Sequence, residues 1–344
     1  MLTRFKTRLH TSVMDAWYSE SGWTSAFSPL SHLFSSMAER RKNQYQMQSR
    51  WEPPVPVIVV GNITVGGTGK TPVVTRLVKY LIQQGHRPGV VSRGFGSKGA
   101  NYPLEVTECS SPGDVGDEPV MLAKQCDCPV VVDPDRVRGA QHLYNAHPCT
   151  VIIADDGLQH YNLKRHIELV VVDGARMLGN GLCLPAGPLR EPPERLKSVD
   201  FVLINGEPAS DPGVPYTAFH LVPEALAPVE GQIRQVTPPP QSGKVHAVAG
   251  IGNPQRFFES LSALGFEVIP HPFPDHHGFS EPDITFNDGL PVIMTAKDAV
   301  KCQTFADANH WYLPVTTNIP SGVLAQLARR VEQARVVSNG QEAV

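Results

Sequence analysis

The stretch Val55-Pro56-Val57-Ile58-Val59-Val60, followed at residues 64–71 by Thr-Val-Gly-Gly-Thr-Gly-Lys-Thr, decides how this chain is read. An apolar run rich in β-branched residues predicts a strand buried on both faces. The glycines after it predict a tight turn, and the apolar positions of Val73–Ile82 predict a helix opening from that turn. Strand, Gly-rich turn and helix start together form a phosphate cradle, because loop and first-turn N–H groups converge on one place. In such a cradle Lys70 reaches the β- and γ-phosphates of ATP and the Thr71 hydroxyl holds Mg²⁺. The expected ATP-binding residues are Thr64, Val65, Gly66, Gly67, Thr68, Gly69, Lys70 and Thr71.

Outward from this loop, apolar strands alternate with helical stretches as far as residue 205. Candidate strands are Val55–Val60, Gly89–Ser92, Val130–Val132, Thr150–Ala154, Leu169–Val172 and Phe201–Ile204, with helices near 72–84, 117–125 and 135–146. Continuous Val/Ile runs suit a parallel sheet, and right-handed βαβ winding makes it doubly wound, with ligand at the carboxyl ends of the strands. The expected fold is thus α/β, a P-loop NTPase-type core over 51–206. A Pro-rich linker with at most short extended strands follows at 207–243, ending near Pro238-Pro239-Pro240. A second, smaller α/β lobe spans 244–337, built from a strand Val245–Ala249, a helix Pro254–Leu264, strands near Phe266–Ile269 and Val292–Thr295, and a closing helix near 320–337. Residues 338–344 read as a tail. A cleft between two unequal lobes is the expected active site.

Composition narrows the function classes. A net charge of −3 over 344 residues argues against bulk nucleic-acid binding. The six cysteines (109, 126, 128, 149, 183 and 302) lack Cys-x-x-Cys spacing and read as reduced, cytosolic thiols. There is no cleavable signal pattern and no uncharged apolar run long enough to span a bilayer. Residues 1–50 are nevertheless distinctive. Trp17, Trp23, Phe27, Leu30, Leu33, Phe34 and Met37 recur at helical spacing, flanked by Arg4, Lys6 and Arg8 on one side and Arg40, Arg41 and Lys42 on the other. That pattern suits either a helix lying in a membrane interface or an amphipathic arm packed on its own domain. Gly22 and Pro29 are expected to break it into two pieces.

Four further groups could carry chemistry. Val151-Ile152-Ile153-Ala154-Asp155-Asp156 is a buried strand ending in two carboxylates, the place where P-loop enzymes hold the Mg²⁺ shell. Gly116-Asp117-Glu118-Pro119 opens a helix, and spacing alone makes Asp117 its N-cap. Asp275-His276-His277 joins a carboxylate to an imidazole that it can orient; a surface loop pair is the plainer reading. Arg93, Arg136 and Arg190 lie in expected strand-to-helix loops and are candidates for phosphate recognition, one or two of them at the cleft.

Taken in order, these motifs resemble the tetraacyldisaccharide 4'-kinase family. The resemblance is carried by Gly61-Asn62, Val65-Gly-Gly-Thr-Gly-Lys-Thr-Pro72, Ser92-Arg93-Gly94-Phe95-Gly96, Val115-Gly-Asp-Glu-Pro119, Asp155-Asp-Gly-Leu-Gln-His160 and Leu184-Pro-Ala-Gly-Pro-Leu-Arg-Glu191. It continues with Ala249-Gly-Ile-Gly-Asn-Pro254, Arg256-Phe257-Phe258, Asp275-His276-His277 and Thr295-Ala-Lys-Asp-Ala-Val-Lys301. Departures are Phe95, Leu158 and Ala296, where Tyr, Phe and Glu are frequent.

The resemblance implies transfer of the ATP γ-phosphoryl to the 4'-hydroxyl of an acylated glucosamine disaccharide 1-phosphate. It implies a position on the cytoplasmic face of the bacterial inner membrane, with the N-terminal segment as anchor and without an obligate protein partner. It also makes Asp117 a base working with His276, with Asp275 and Lys70 beside them, in place of a mere cap. Lobe closure with ATP bound would bring the two together and limit hydrolysis by water. Thr71, Asp155 and Asp156 are the expected Mg²⁺ residues; Arg93, Glu118, Arg136, Gln159, His160, Arg190 and Glu191 are candidates for phosphate or substrate contact. Two rivals fit the phosphate loop alone: an ATP-dependent ligase of the dethiobiotin-synthase type, and a membrane-associated nucleotide switch. The first leaves the aromatic N-terminus unexplained. The second lacks both a lysine at Val65 and an Asn-Lys-x-Asp motif.

Overall fold

In the computed structural model, the described residues are 12–18, 22–47, 51–97, 99, 101–229 and 240–341. Arg4, Lys6, Arg8, Pro238 and Pro239 lie outside them. Strand β1 (Val57–Gly61), with every residue buried, is the spine of an eight-stranded sheet. Its neighbours are β2 (Pro88–Ser92), β3 (Leu104–Val106), β4 (Val130–Val132), β5 (Val151–Asp155), β6 (Ile167–Asp173), β7 (Phe201–Asn205) and β8 (Thr217–Phe219), in the order β3-β4-β2-β5-β1-β6-β7-β8. Only the edge pair β3–β4 is antiparallel. Helices α2 (Lys70–Gln83), α3 (Asp117–Gln125) and α4 (Arg136–Ala146) make the crossovers. Alternate residues of one strand feed opposite layers: Ile58 and Val60 join one apolar core, Val57 and Val59 the other. The expected doubly wound α/β core is what forms.

The stretch read as a linker is built into the fold. It supplies β8 to the large sheet, then β9 (Leu221–Pro223) and β10 (Ala227–Pro228). Strands β10, β11 (Gly243–Ala249), β12 (Phe266–Pro272), β13 (Val292–Thr295) and β14 (His310–Leu313) form the second sheet, in the order β10-β14-β13-β11-β12. Helix α5 (Pro254–Ala263) packs on it, and α6 (Ala296–Cys302) leads from β13 toward α3. Strand β14 escapes sequence reading because it opens on His310, whose buried ring bonds the Ile284 carbonyl and Asp307.

The chain then returns. Strand β15 (Val315–Thr317) pairs antiparallel with β9, and α7 (Ser321–Gln341) lays Leu324, Leu327 and Val331 into the core of the large sheet beside Leu77 and Leu81. The closing helix, expected in the second lobe, therefore belongs to the first, and its ordered turns run into the stretch read as a tail.

At the N-terminal side, residues 12–18 are helical, Trp23–Phe27 form a 3₁₀ turn, and α1 (Ser28–Met47) follows without a break at Pro29. Pro29 is tolerated because it sits in the first turn, where a missing N–H costs no helical bond. Ser31 is buried and ties α1 down: its hydroxyl donates to the Cys183 carbonyl at 2.6 Å and accepts from the Ala186 N–H at 3.1 Å. Trp23, Phe27, Leu30, Leu33, Phe34 and Met37 stay exposed. No helix among the described residues is long and apolar enough to cross a membrane.

Candidate active site

The phosphate loop leaves β1 and is held from several sides. The Asn62 amide donates to the Gly66 carbonyl at 3.3 Å, the Asn205 amide to the Thr68 carbonyl at 3.1 Å, and the Val65 N–H to the Pro188 carbonyl at 2.8 Å. Gly66 and Gly69 have φ of 100° and 93°, which a side chain would resist. Gly69 precedes α2 without any side-chain cap, so the first-turn N–H groups remain directed into the loop. Thr71 is buried at that turn.

Parallel pairing of Val60 with Asp155 brings the end of β5 beside the loop. The two carboxylates there are shifted in opposite directions. Asp156 has a left-handed backbone, φ 48°. Burial works against its charge, yet Lys70 at 3.3 Å and Arg190 at 3.2 Å outweigh it and hold the carboxyl well below the usual range. Asp155 is fully enclosed, and burial together with the charges of Glu118 and Asp156 pushes it up to about 7. Its Oδ1 is buried without a hydrogen-bond partner, as is the Thr68 hydroxyl. An unpartnered, acidic, all-oxygen corner beside a phosphate loop fits Mg²⁺, which takes one or two carboxylates and completes its shell with water and phosphate. No group of three or more His, Cys, Asp or Glu among the described residues forms an all-protein cage.

Across the cleft stands His276, also left-handed at φ 58°. Its Nδ1 lies 3.2 Å from Asp117 Oδ2. Asp117 is not an N-cap: Gly116 occupies that position, Asp117 is the first helical residue, and its Oδ1 accepts the Glu118 N–H at 3.0 Å. Burial opposes the charge of Asp117, but the His276 bond and the Lys297 and Lys301 ammonium groups leave it below the ordinary range. His276 is raised, first by its bond to Asp117. Asp275 lies behind, bonding Lys297 at 3.2 Å and the His276 N–H at 3.0 Å.

The lobes meet at a seam around these groups. Arg176 donates to the Gly252 carbonyl at 3.0 Å, and Arg256 to Asn205 Oδ1 at 2.6 Å. A Cβ on Gly252 would sit 2.9 Å from the Gly67 nitrogen, so the second lobe touches the phosphate loop itself.

A family model described as LpxK, tetraacyldisaccharide-1-P 4'-kinase, matches residues 23–332. The chain belongs to the tetraacyldisaccharide 4'-kinase family. It is 49% identical to the tetraacyldisaccharide 4'-kinase of Alcanivorax borkumensis over 92% of this chain and 96% of that one. It is 52% identical to that of Alkalilimnicola ehrlichii over 84% and 87%. A crystal structure of LpxK from Aquifex aeolicus in complex with ATP superposes with a TM-score of 0.73 at 28% identity, covering 90% of this chain and 99% of that chain. As a member of the 4'-kinase family the chain is a phosphoryl-transferring enzyme with ATP as donor.

The other expected site residues separate into two groups in this family member. Arg190 reaches the cleft through Asp156. Arg93 is exposed at the end of β2, with no hydrogen bond or ion pair to another described residue. Glu118 accepts from Lys297 at 3.0 Å. His160 is half-buried, and burial with the nearby Arg136 and Arg93 charges lowers it to about 3, so its ring is neutral. Arg136, in contrast, is enclosed, and its Nε is buried without a hydrogen-bond partner among the described residues. Its Nη1 and Nη2 donate to the carbonyls of Asp133 and Asp155, at 2.8 and 3.3 Å, supporting the end of β5. Glu191 is likewise buried, accepting from Gln159 at 2.7 Å, from Tyr161, and pairing with Arg195 at 3.2 Å, so Gln159 and Glu191 brace the loop behind Arg190.

Sequence reading gave no role to Lys297, Lys301, Asn205, Arg176, Arg256 or Gly252. Asn205 had a signal, a polar residue ending an apolar strand at the ligand side of the sheet. The lysines had one too, on a helix opening directly from strand β13.

Proposed function

We propose that this chain moves the γ-phosphoryl group of ATP onto the 4'-hydroxyl of tetraacyldisaccharide 1-phosphate with Asp117 as general base. The observation that carries this reading is the 3.2 Å contact between Asp117 and His276, joining the lobes beside the Lys70 loop. Phosphoryl transfer asks the protein for positioning and charge neutralisation more than for covalent chemistry. Lys70 and the loop N–H groups neutralise the phosphates. Thr71 and Asp155 would hold Mg²⁺, which would supply positive charge to the phosphates, and Asp156 fixes Lys70 and Arg190. As the 4'-oxygen bonds to the γ-phosphorus, its proton passes to Asp117, the bond to the β,γ-bridging oxygen breaks, and ADP leaves with that electron pair. His276 orients Asp117 by its Nδ1 bond, and Arg93 and Arg190 supply positive charge at the mouth of the cleft.

Trp23, Phe27, Leu30, Leu33, Phe34 and Met37 are exposed on the outward face of the 3₁₀ turn and α1, and Arg40, Arg41 and Lys42 follow in the same helix. Such a face partitions into the headgroup region of a bilayer, which favours a monotopic enzyme on the cytoplasmic face of the inner membrane, where the acylated substrate lies. Transfer of labelled phosphate from γ-labelled ATP to the lipid in detergent micelles tests the reading. Wild type yields labelled lipid, Asp117→Ala loses it, and a chain lacking residues 1–45 loses it at low lipid concentration. ATP hydrolysis without labelled lipid would overturn the assignment of the acceptor, and near-normal turnover in Asp117→Ala the assignment of the base.

A further inference from the structure

Strand β6 runs beside β1, with Leu169 opposite Val60 and Val170 opposite Gly61, so the chain leaves it alongside the phosphate loop. The turn that follows is fixed from its first residue. Asp173 Oδ1 accepts the N–H groups of Ala175 and Arg176, each at 3.1 Å, and the Asp173 carbonyl accepts that of Met177 at 2.7 Å. Asp173 thus holds the backbone of Arg176, and among the described residues no carboxylate pairs with the Arg176 side chain. The guanidinium is placed from three sides. Its Nη2 donates to the Gly252 carbonyl of the small lobe at 3.0 Å, and its Cζ lies 5.4 Å from the ring centre of Tyr18 in the helical residues 12–18. Its Nη1 is 3.8 Å from the point that a Cβ on Gly66 would occupy, and has no hydrogen-bond partner among the described residues. Other cations of the cleft are matched: Lys70 and Arg190 face Asp156, and Lys297 faces Glu118 and Asp275. Arg93 is unmatched too, but it follows β2, on the other side of β1 from β6.

In a phosphate loop the N–H groups near the helix start hold the α- and β-phosphates, and the lysine spans β and γ. Gly66 lies toward the other end of the loop, so a guanidinium over it reaches the terminal phosphate. We propose that Arg176 is a catalytic arginine supplied in cis, its Nη1 donating to an oxygen of the γ-phosphoryl group during transfer. The γ-phosphorus passes from the β,γ-bridging oxygen, which keeps the electron pair as ADP leaves, to the acceptor oxygen, whose proton goes to the Asp117–His276 pair. Charge is spread over the three γ-oxygens and the bridging oxygen on the way, and a fixed N–H donor without a counter-ion is free to meet it. The planar fork suits the task, because the Gly252 bond and the Tyr18 ring set its plane before any phosphate arrives. One prong rests on the small lobe, so the charge is in place only when that lobe sits on the phosphate loop. No proton moves to or from Arg176, and the proposal rests on ATP as donor and not on which group takes the acceptor proton.

The experiment uses the full chain in detergent micelles with Mg²⁺ and compares wild type, Arg176→Met and Arg176→Lys. Steady-state transfer of labelled phosphate from ATP to the lipid should show kcat lower by about 10³-fold in Arg176→Met, with the KM for ATP within about threefold of wild type. Arg176→Lys keeps the charge but cannot hold Gly252 and a phosphate oxygen together, so it should recover only about tenfold of that loss. It also serves where the methionine variant fails to fold. A second arm needs neither lipid nor base: release of a fluorescent ADP with and without aluminium fluoride, a mimic of the phosphoryl group in transit. Aluminium fluoride should slow release from wild type by about tenfold or more and leave release from Arg176→Met unchanged. A rise in KM with kcat retained would overturn the proposal and leave Arg176 as a tie between lobes. Equal slowing by aluminium fluoride in wild type and Arg176→Met would overturn it as well. Absence of labelled lipid from wild type, beside the expected aluminium-fluoride result, would strike the assignment of the acceptor and still support Arg176.

Discussion

The two halves of the cleft are made of different materials. On the large lobe the phosphate loop is mostly backbone: glycine φ angles, a helix start without a side-chain cap, and amides from Asn62 and Asn205 that fix carbonyls. On the opposite side the site is all side chains, with Asp117 of one lobe meeting His276 and Lys297 of the other. A backbone site is local, so consecutive residues specify it. A side-chain site assembled across a seam depends on how two sheets are joined, and residues 159 positions apart must meet. Motif chemistry therefore writes the first plainly in the sequence and the second hardly at all.

The difference can be broken by substitution. Lys70→Ala removes the one cation of the loop and should cost about 10³-fold in kcat/KM for ATP, measured by steady-state phosphate transfer; a loss under tenfold would mean that the amides suffice. His276→Ala should cost about 10²-fold in kcat, with the KM for ATP little changed, because the dyad acts on the acceptor and not on the nucleotide. A rise in KM of the same size would show that the seam also shapes the nucleotide site.

Gly252→Ala tests that seam from the other direction. Its Cβ would press on the Gly67 nitrogen at 2.9 Å, so the KM for ATP should rise about tenfold while the pH profile keeps its shape. Unchanged KM would mean the lobes part easily at this point. The smallest expected effect is on stability. Asp155 is raised to about 7, so between its unfolded pKa and 7 the folded chain holds a proton that the unfolded chain has lost. Stability from this group therefore falls as pH rises through that window, by on the order of a few kcal/mol. Asp155→Asn should raise Tm by about 3 °C or more at pH 7.5 without Mg²⁺, and lose the Mg²⁺-dependent gain of the wild type, both read by scanning fluorimetry. A lowered Tm would show that the carboxylate is satisfied in some other way.

Much of the first lobe was legible because its strands are unbroken Val/Ile runs and its loop has a chemical signature. Strand β3 was not, being a three-residue antiparallel edge, nor was β14, whose apolar pattern is hidden by a buried histidine. Arg136 reads as a candidate phosphate contact because sequence shows an arginine in a strand-to-helix loop but not that the side chain is fully buried with two of its nitrogens on carbonyls. Asp117 looked like a cap because Asp at a helix start usually is one. The family resemblance, and not the spacing, pairs it with His276, which the loop after β12 carries to it.

Helix α7 carries a consequence for how the molecule comes into being. Helix α7 is synthesised after everything it packs against and fills the core around Leu77 and Leu81 of α2, and the small lobe is an insertion held between β9 and β15. The phosphate loop thus waits on α7, which begins only at Ser321, for the packing that steadies its helix. A chain truncated before residue 320 should hold a finished small lobe and an unfinished large one, with an apolar groove along α2 that a chaperone must cover until α7 is supplied.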